Sequence, residues 1–355
     1  MPQLPSSTTD FEAMLDVLNL DVVGDDTFVG GHPHKVWQRT FGGQLLAQAA
    51  VAAGRTVIPY RKRPLHALHI QFIRPGDVHT PIKYVVERLR DERTLADRLV
   101  TARQGEDVLA VVLAGFQSFR QGLEHSVVMP PVPPPEDLER VTESFAGREE
   151  RLQMFVKSLH PIDIRYTDAT PWELQRQGRK TDVCRAWMRA DGPLPDDPLT
   201  HAAVLAWASD MTPLDSIITT HGLAWGVDRI VPATLNHSLW IHRPPRLDDW
   251  TLYTTTSPTA AGSRALVTGW FHSRSGDQVA SISQEDVVLA YPQRDKVVSA
   301  ARDTRGGVSA SEQDSRKVDA WGIASLRRHL DGLPGATIAD RSESEQGATA
   351  TGENL

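Results

Sequence analysis

Two stretches of the chain are apolar nearly all the way round. Residues 199–208, LTHAAVLAWA, carry almost no polar position, and residues 42–57, GGQLLAQAAVAAGRTV, are similarly rich in small apolar side chains. A helix with no polar face belongs in a core. Each stretch is followed by segments of a different rhythm. KYVVERL and RALVTGWFH alternate apolar and polar positions with period two, as half-buried strands do. Residues 65–119 read as strand, turn, strand, turn, strand, with turns at IRPGD (73–77) and RQGED (103–107). Residues 233–289 read the same way, with turns at HRPPR (242–246) and RSGDQ (274–278). Arg74 aligns with Arg243 at an offset of 169 residues, and Arg103 with Arg274 at an offset of 171. A slip of two residues is ordinary loop variation. The pattern predicts an internal duplication. Each copy is an apolar helix followed by an antiparallel meander wrapped around it, an α+β layout.

Composition sets the boundaries. The chain has 355 residues, 40% of them apolar, enough for two copies of one unit. MPPVPPPEDLE, from Met129, suits neither a helix interior nor a central strand and reads as a stiff connector. Beyond about residue 295 the chain turns polar, small and charged, and is expected to be disordered. Within that tail VDAWGIASLRRHL could form a short amphipathic helix. The expected organisation is an N-terminal stub (1–22), a first unit (23–128), a Pro-rich linker (129–150), a second unit (151–295) and a tail (296–355).

Several function classes drop out. A formal net charge of −7 and the lack of a dense basic patch argue against nucleic-acid binding. Arg61-Lys62-Arg63 reads as a solvated loop or a contact for a small anion. No apolar run approaches the ~20 residues of a membrane span, and the N-terminus lacks the features of a signal peptide. The single cysteine, Cys184, forbids an intrachain disulfide and suits a reducing compartment, so a cytoplasmic location is expected. Cys184 lies in the strand-like VCRAWMRA and reads as a small buried hydrophobe. No nucleophile elbow, phosphate-binding loop, dinucleotide fingerprint or zinc motif occurs. His66 and His69 fall on opposite faces of a regular strand, and neither a metal nor another cofactor is expected.

The two copies are not chemically equal. The first helical stretch holds no acidic residue; the second ends in Asp210 and, past Pro213, Asp215. Thr212-Pro213-Leu214-Asp215 fits a helix cap with an acidic third position, so Asp215 has a structural explanation. Asp210 ends an apolar helix, where the dipole disfavours negative charge; a salt-bridged or loop-facing carboxylate is the plain alternative. At the same offsets Thr234 stands opposite Leu65, and Gln284 opposite Leu113. The second copy thus carries polar groups where the first carries plain core.

RTFGGQLLAQA (39–49), LHIQFIRPGD (68–77), VCRAWMRADGPLPDD (183–197), AWASDM (206–211), ATLNHSLWIHRP (233–244) and SISQEDVV (281–288) resemble, in order and spacing, the type II acyl-CoA thioesterases. The resemblance runs from about residue 23 to 290 and implies a double hotdog fold, two fused hotdog units in one chain. It implies hydrolysis of fatty acyl-CoA by water activated through Asp210, Thr234 and Gln284, with no cofactor, in a homodimer or homotetramer. The FGGQ turn offers Gly43 or Gln44 as a substrate-binding donor for the oxyanion, or else serves tight packing. The chain departs from the family at Asn236, where the family has Asp. On a regular strand Asn236 shares the face of Thr234, and His237 points away as a buried, hydrogen-bonded histidine. Two alternatives remain: a hotdog hydratase or dehydratase, and a non-catalytic acyl-CoA-binding protein.

Overall fold

The second apolar stretch folds as α5 (Pro198–Ser209). It starts where Asp197 accepts a hydrogen bond from the Thr200 N–H at 2.9 Å and where Pro198 occupies the first helical position. Every residue from His201 to Ser209 is buried, as an all-apolar helix requires. The first stretch forms α2 (Gly42–Arg55), and the two helices pack against each other.

These helices belong to a computed structural model that describes residues 9–33 and 39–291. The remaining elements are, in chain order, α1 (Asp10–Leu18), β1 (Asp21–Gly24), β2 (Thr27–Gly30), β3 (Leu65–Phe72), β4 (Ile82–Asp91), β5 (Leu95–Gln104), β6 (Asp107–Gln117), α3 (Gln153–Val156), β7 (Ile162–Tyr166), α4 (Pro171–Arg176), β8 (Val183–Ala190), α6 (Pro213–Thr220), β9 (Arg229–Ile241), β10 (Thr251–Ala261), β11 (Arg264–Ser273) and β12 (Gln278–Tyr291). All strands join one antiparallel sheet in the order β1-β2-β4-β5-β6-β3-β9-β12-β11-β10-β8-β7. Read outward from its centre, β3-β6-β5-β4-β2-β1 mirrors β9-β12-β11-β10-β8-β7. The predicted duplication is therefore the symmetry of the sheet.

The two copies meet at β3 and β9, where Leu68 pairs with Leu239 and Ile70 with His237. A continuous ladder across the joint explains why both copies lie in one compact unit. Inward positions of the central strands, such as Leu68, Ile70, Leu239 and Ile282, join the helices in one large core.

Three expectations change. The N-terminal stub is structural: α1 is capped by Thr9 and Glu12, and Phe11, Met14, Val17 and Leu18 enter the core. The Pro-rich segment is more than a connector. Pro133 carbonyl accepts the Trp187 indole N–H at 2.9 Å, and Met129, Val132 and Leu138 pack on Trp187, Trp250 and Leu252. Finally, β3 carries an extra residue at His66 against β6. This bulge turns His66 to the outer face, which it shares with His69. The tail, including the helix expected at 318–330, lies outside the described residues.

Candidate functional site

Asp210 is the C-cap of α5. The negative end of its own helix is offset by the positive end of a neighbour, because the N-terminus of α2 abuts it. The Gly43 N–H and the Gln284 side chain hydrogen-bond the Asp210 carboxylate, and Arg39 attracts it. Burial nevertheless dominates, with a further contribution from the charge of Asp286, and the Asp210 pKa is raised to about 8. The approach depends on glycine. A Cβ on Gly42 would lie 2.6 Å from Asp210 Oδ2 and 3.1 Å from the Phe72 ring; one on Gly43 would lie 2.7 Å from the Trp207 carbonyl oxygen. The close-packing reading of the FGGQ turn holds: tight packing is what brings the helix N-terminus to the carboxylate. Gly42→Ala is expected to displace that carboxylate. A misplacement of this kind costs on the order of 10²-fold in kcat, and overpacking costs about 1–3 kcal/mol of stability. Steady-state kinetics and thermal melts check both effects.

The polar groups opposite Asp210 come from β9 and β12. Their register runs Ser283–Ser238, Gln284–His237 and Glu285–Asn236, then skips to Asp286–Thr234. Leu235 is the extra residue of a β-bulge, and its carbonyl accepts the Gln71 side-chain amide at 2.9 Å. This bulge reverses two expectations that assumed a regular strand. Asn236 faces away from Thr234 and donates to Glu285 at 3.2 Å. His237 faces inward with Thr234, Gln284 and Asp286.

The inward groups form a connected network. Gln284 Oε1 can only accept, so His237 donates through Nδ1–H at 2.6 Å. Its Nε2 lies 3.0 Å from Ser209 Oγ, whose one hydrogen is shared between that nitrogen and the Ala206 carbonyl, 2.9 Å away. Burial lowers the His237 pKa to about 4, so the ring is neutral. With its oxygen fixed, Gln284 aims Nε2 at Asp286, 3.0 Å from Oδ1, and at Thr234 Oγ1, 3.3 Å away. Thr234 also hydrogen-bonds Asp286, whose pKa burial raises to about 6. Gln284 and Asp286 are 1% and 0% exposed.

Asp210 and Thr234 reach a cavity of about 220 Å³. Its walls are mainly apolar and aromatic, including Phe41, Phe145, Phe155, Trp172 and Trp225. Gln284, Asp286 and His237 are not among the lining residues; they stand behind the wall. Asp215 does line it; it sits in the first turn of α6 as expected, but its carboxylate makes no capping bond. Thr212 and Pro213 do start α6, but no side-chain cap bond forms there. The Asp215 carboxylate instead accepts from Tyr166 Oη and, at 2.7 Å, from Trp225 Nε1. Burial raises its pKa to about 6.

The remaining candidates lie apart or act differently. Gln44 is buried, and its side chain donates to the Gly31 carbonyl at 3.0 Å. The Gly43 N–H is occupied by Asp210 and is not free to receive an oxyanion. Arg61 and Arg63 donate to the carbonyls of Asp196 and Glu92. Cys184 sits 3.4 Å from the Thr219 hydroxyl, and burial pushes its thiol up to about 12, so it is no nucleophile. Asp286 was missed by the sequence reading. Its signal was the period-two spacing from Gln284, which puts both on one face of a strand.

An aromatic-walled cavity with a buried carboxylate at its edge suits a substrate with an apolar body and a reacting carbonyl. Known proteins agree. Residues 155–287 match the family described as acyl-CoA thioesterase, and residues 33–117 match the acyl-CoA thioesterase N-terminal domain. The chain is 34% identical over 294 residues to acyl-coenzyme A thioesterase 8 of Mus musculus, spanning 78% of this chain and 89% of that relative. Among solved structures, the acyl-CoA thioesterase II TesB2 of Mycobacterium marinum is 33% identical, with a TM-score of 0.64 over 79% of this chain and 98% of that one. A protein of Alicyclobacillus acidocaldarius described as having a hot dog fold is 22% identical, with a TM-score of 0.65 over 79% and 98% of the two chains; that likeness bears on the fold alone. The architecture is a double hotdog, and the chain belongs to the acyl-CoA thioesterase family.

Proposed function

We propose that this protein hydrolyses acyl-CoA to free acid and CoA, with Asp210 as the general base. One observation carries this reading: Asp210, the acidic end of one helix of the duplicated pair, and Thr234 line the same largely apolar cavity. The Thr234 hydroxyl gives its hydrogen to Asp286 and keeps a lone pair towards the cavity. A water there donates one hydrogen to Thr234 and the other to Asp210. As Asp210 takes that proton, the water oxygen attacks the thioester carbon, and the Gln44 N–H receives the developing oxyanion. The tetrahedral intermediate then expels the CoA sulfur, which recovers the proton from Asp210. Gln284 works from behind, positioning Thr234 and Asp210 rather than the water.

Release of free thiol from a chain-length series of acyl-CoAs, followed with a thiol-trapping reagent, tests the activity. Turnover of at least one member is expected; no thiol from any of them contradicts the reading. The acyl group lies in the aromatic chamber. Val141→Trp should therefore lower kcat/KM for long acyl chains relative to acetyl-CoA by about tenfold or more, the scale of one methylene in a hydrophobic pocket. An unchanged ratio would place the chain elsewhere. The hydratase alternative wants a histidine together with an acidic residue facing the substrate, but both nitrogens of His237 are engaged behind the wall.

The assembly proposed is a homodimer or homotetramer. Leu113 and Trp240 leave large apolar surface exposed on the sheet's outer face, which supports it. Light scattering of the eluting protein should give a multiple of the chain mass, and a monomer at micromolar concentration would contradict it. Among the described residues no helix is long and apolar enough to cross a membrane. The cytoplasmic location rests on the single cysteine.

A further inference from the structure

Among the buried groups behind the wall is an acidic side chain that the proposed hydrolysis uses only as the acceptor for the Thr234 hydroxyl. Asp286 is 0% exposed and stands opposite Thr234 in the β9–β12 ladder. Its two carboxylate oxygens lie 3.0 and 3.2 Å from Gln284 Nε2, and it also takes the Thr234 hydroxyl. The charges and titrating groups around it come from several elements. Asp210 faces it from the end of α5, and the Tyr253 hydroxyl, which donates to the Ser209 carbonyl at 2.8 Å, from β10. His237, neutral, lies on β9; Glu285, adjacent on β12, points outward to Asn236 and Arg264. On β11 its ladder partner is the uncharged Ala265. Arg39 interacts with Asp210 and donates to the Pro232 carbonyl at 2.6 Å. No arginine or lysine ion pair to Asp286 is present among the described residues.

We propose that Asp286 is a positioning residue of the hydrolytic site, fixing the donor directions of Gln284 and Thr234 and forming with Asp210 a pair of carboxylates that holds one proton between them. This rests on Asp210 being the base. Two carboxylates in one buried site cannot both ionise cheaply, so the first negative charge makes the second proton harder to remove. Asp286 accepts from both Gln284 and Thr234 and has the lower pKa of the two, about 6 against about 8, so it ionises first. Its charge then keeps the proton on Asp210, which makes Asp210 a stronger base once that proton is lost. The carboxylate absent at position 236 would have faced the other side of the sheet, beyond the bulge. A carboxylate at 286, two residues from Gln284, faces the site.

The test is the pH profile of kcat/KM for acyl-CoA hydrolysis in the parent, Asp286→Asn and Asp286→Gly, with Asp210→Asn measured alongside. Asparagine can still accept from Gln284 but carries no charge. The acidic limb should move to lower pH by about one unit in Asp286→Asn. Asp286→Gly should show the same shift and a lower kcat at unchanged KM, because Gln284 and Thr234 lose their common acceptor. Should either variant fail to fold, the limb of the other decides. A limb that stays at the parent position in a folded variant overturns the proposal while leaving Asp210 as base, provided Asp210→Asn is inactive. Near-normal turnover by Asp210→Asn would overturn both.

Discussion

Asp210→Asn is expected to lower kcat by about 10²- to 10⁴-fold, the usual worth of a general base, and to leave acyl-CoA binding intact. The amide is nearly isosteric and can still accept the Gly43 N–H, so the junction of α5 with α2 should hold. Stability should move in the opposite direction to activity. The Asp210 pKa is about 8 in the fold and about 3.9 in an unfolded chain. Between these values the folded state binds the extra proton, so its stability falls as pH rises. The asparagine variant lacks that penalty. Its melting temperature relative to the parent should therefore rise from about pH 4 to about pH 8 and level off above. Melts across that range, run with binding measurements, separate a lost base from a damaged fold. A residue that strengthens catalysis while weakening the fold is a common compromise at active sites.

Gln284→Ala should produce the second-largest loss. It would strand the His237 Nδ1–H, free Thr234 from its donor and leave Asp286 without its closest partner. Losing a preorganised polar group of this kind costs about 10²- to 10³-fold in kcat, and unsatisfied buried groups cost a further 1–3 kcal/mol or so of stability. Because Gln284 is not among the residues that line the cavity, KM should change little. A large rise in KM with kcat preserved would instead put Gln284 in the binding surface. Gln284→Glu is expected to be nearly as damaging, since a third carboxylate would face Asp210 and Asp286.

Much of this was legible in the chain. Period-two strands at matching offsets gave the duplicated sheet, and two all-apolar helices gave its interior. Comparing the copies singled out Asp210, Thr234 and Gln284, and the structure brings all three into one network. What escaped has local physical causes. A single extra residue at Leu235 inverts the alternation of β9, so Asn236 and His237 exchange faces. The bulge at His66 does the same on β3. Neither site has a glycine or proline to announce it. Asp215 looked like a cap because its spacing from Thr212 and Pro213 was right. Its actual partners, Tyr166 and Trp225, are distant in sequence and only tertiary packing unites them. Asp286 was readable from alternation alone, yet nothing in its own neighbourhood marks it as more than an acidic strand residue.

The central claim is that a buried carboxylate of raised pKa activates the water. It is tested most directly by kcat/KM for thiol release from a long-chain acyl-CoA between about pH 5.5 and pH 9.5. If Asp210 must be ionised, the rate should climb close to tenfold per pH unit, bend near pH 8 and level off about one unit above it. A profile flat down to pH 5.5 would show that no group of that pKa governs turnover and would contradict the account.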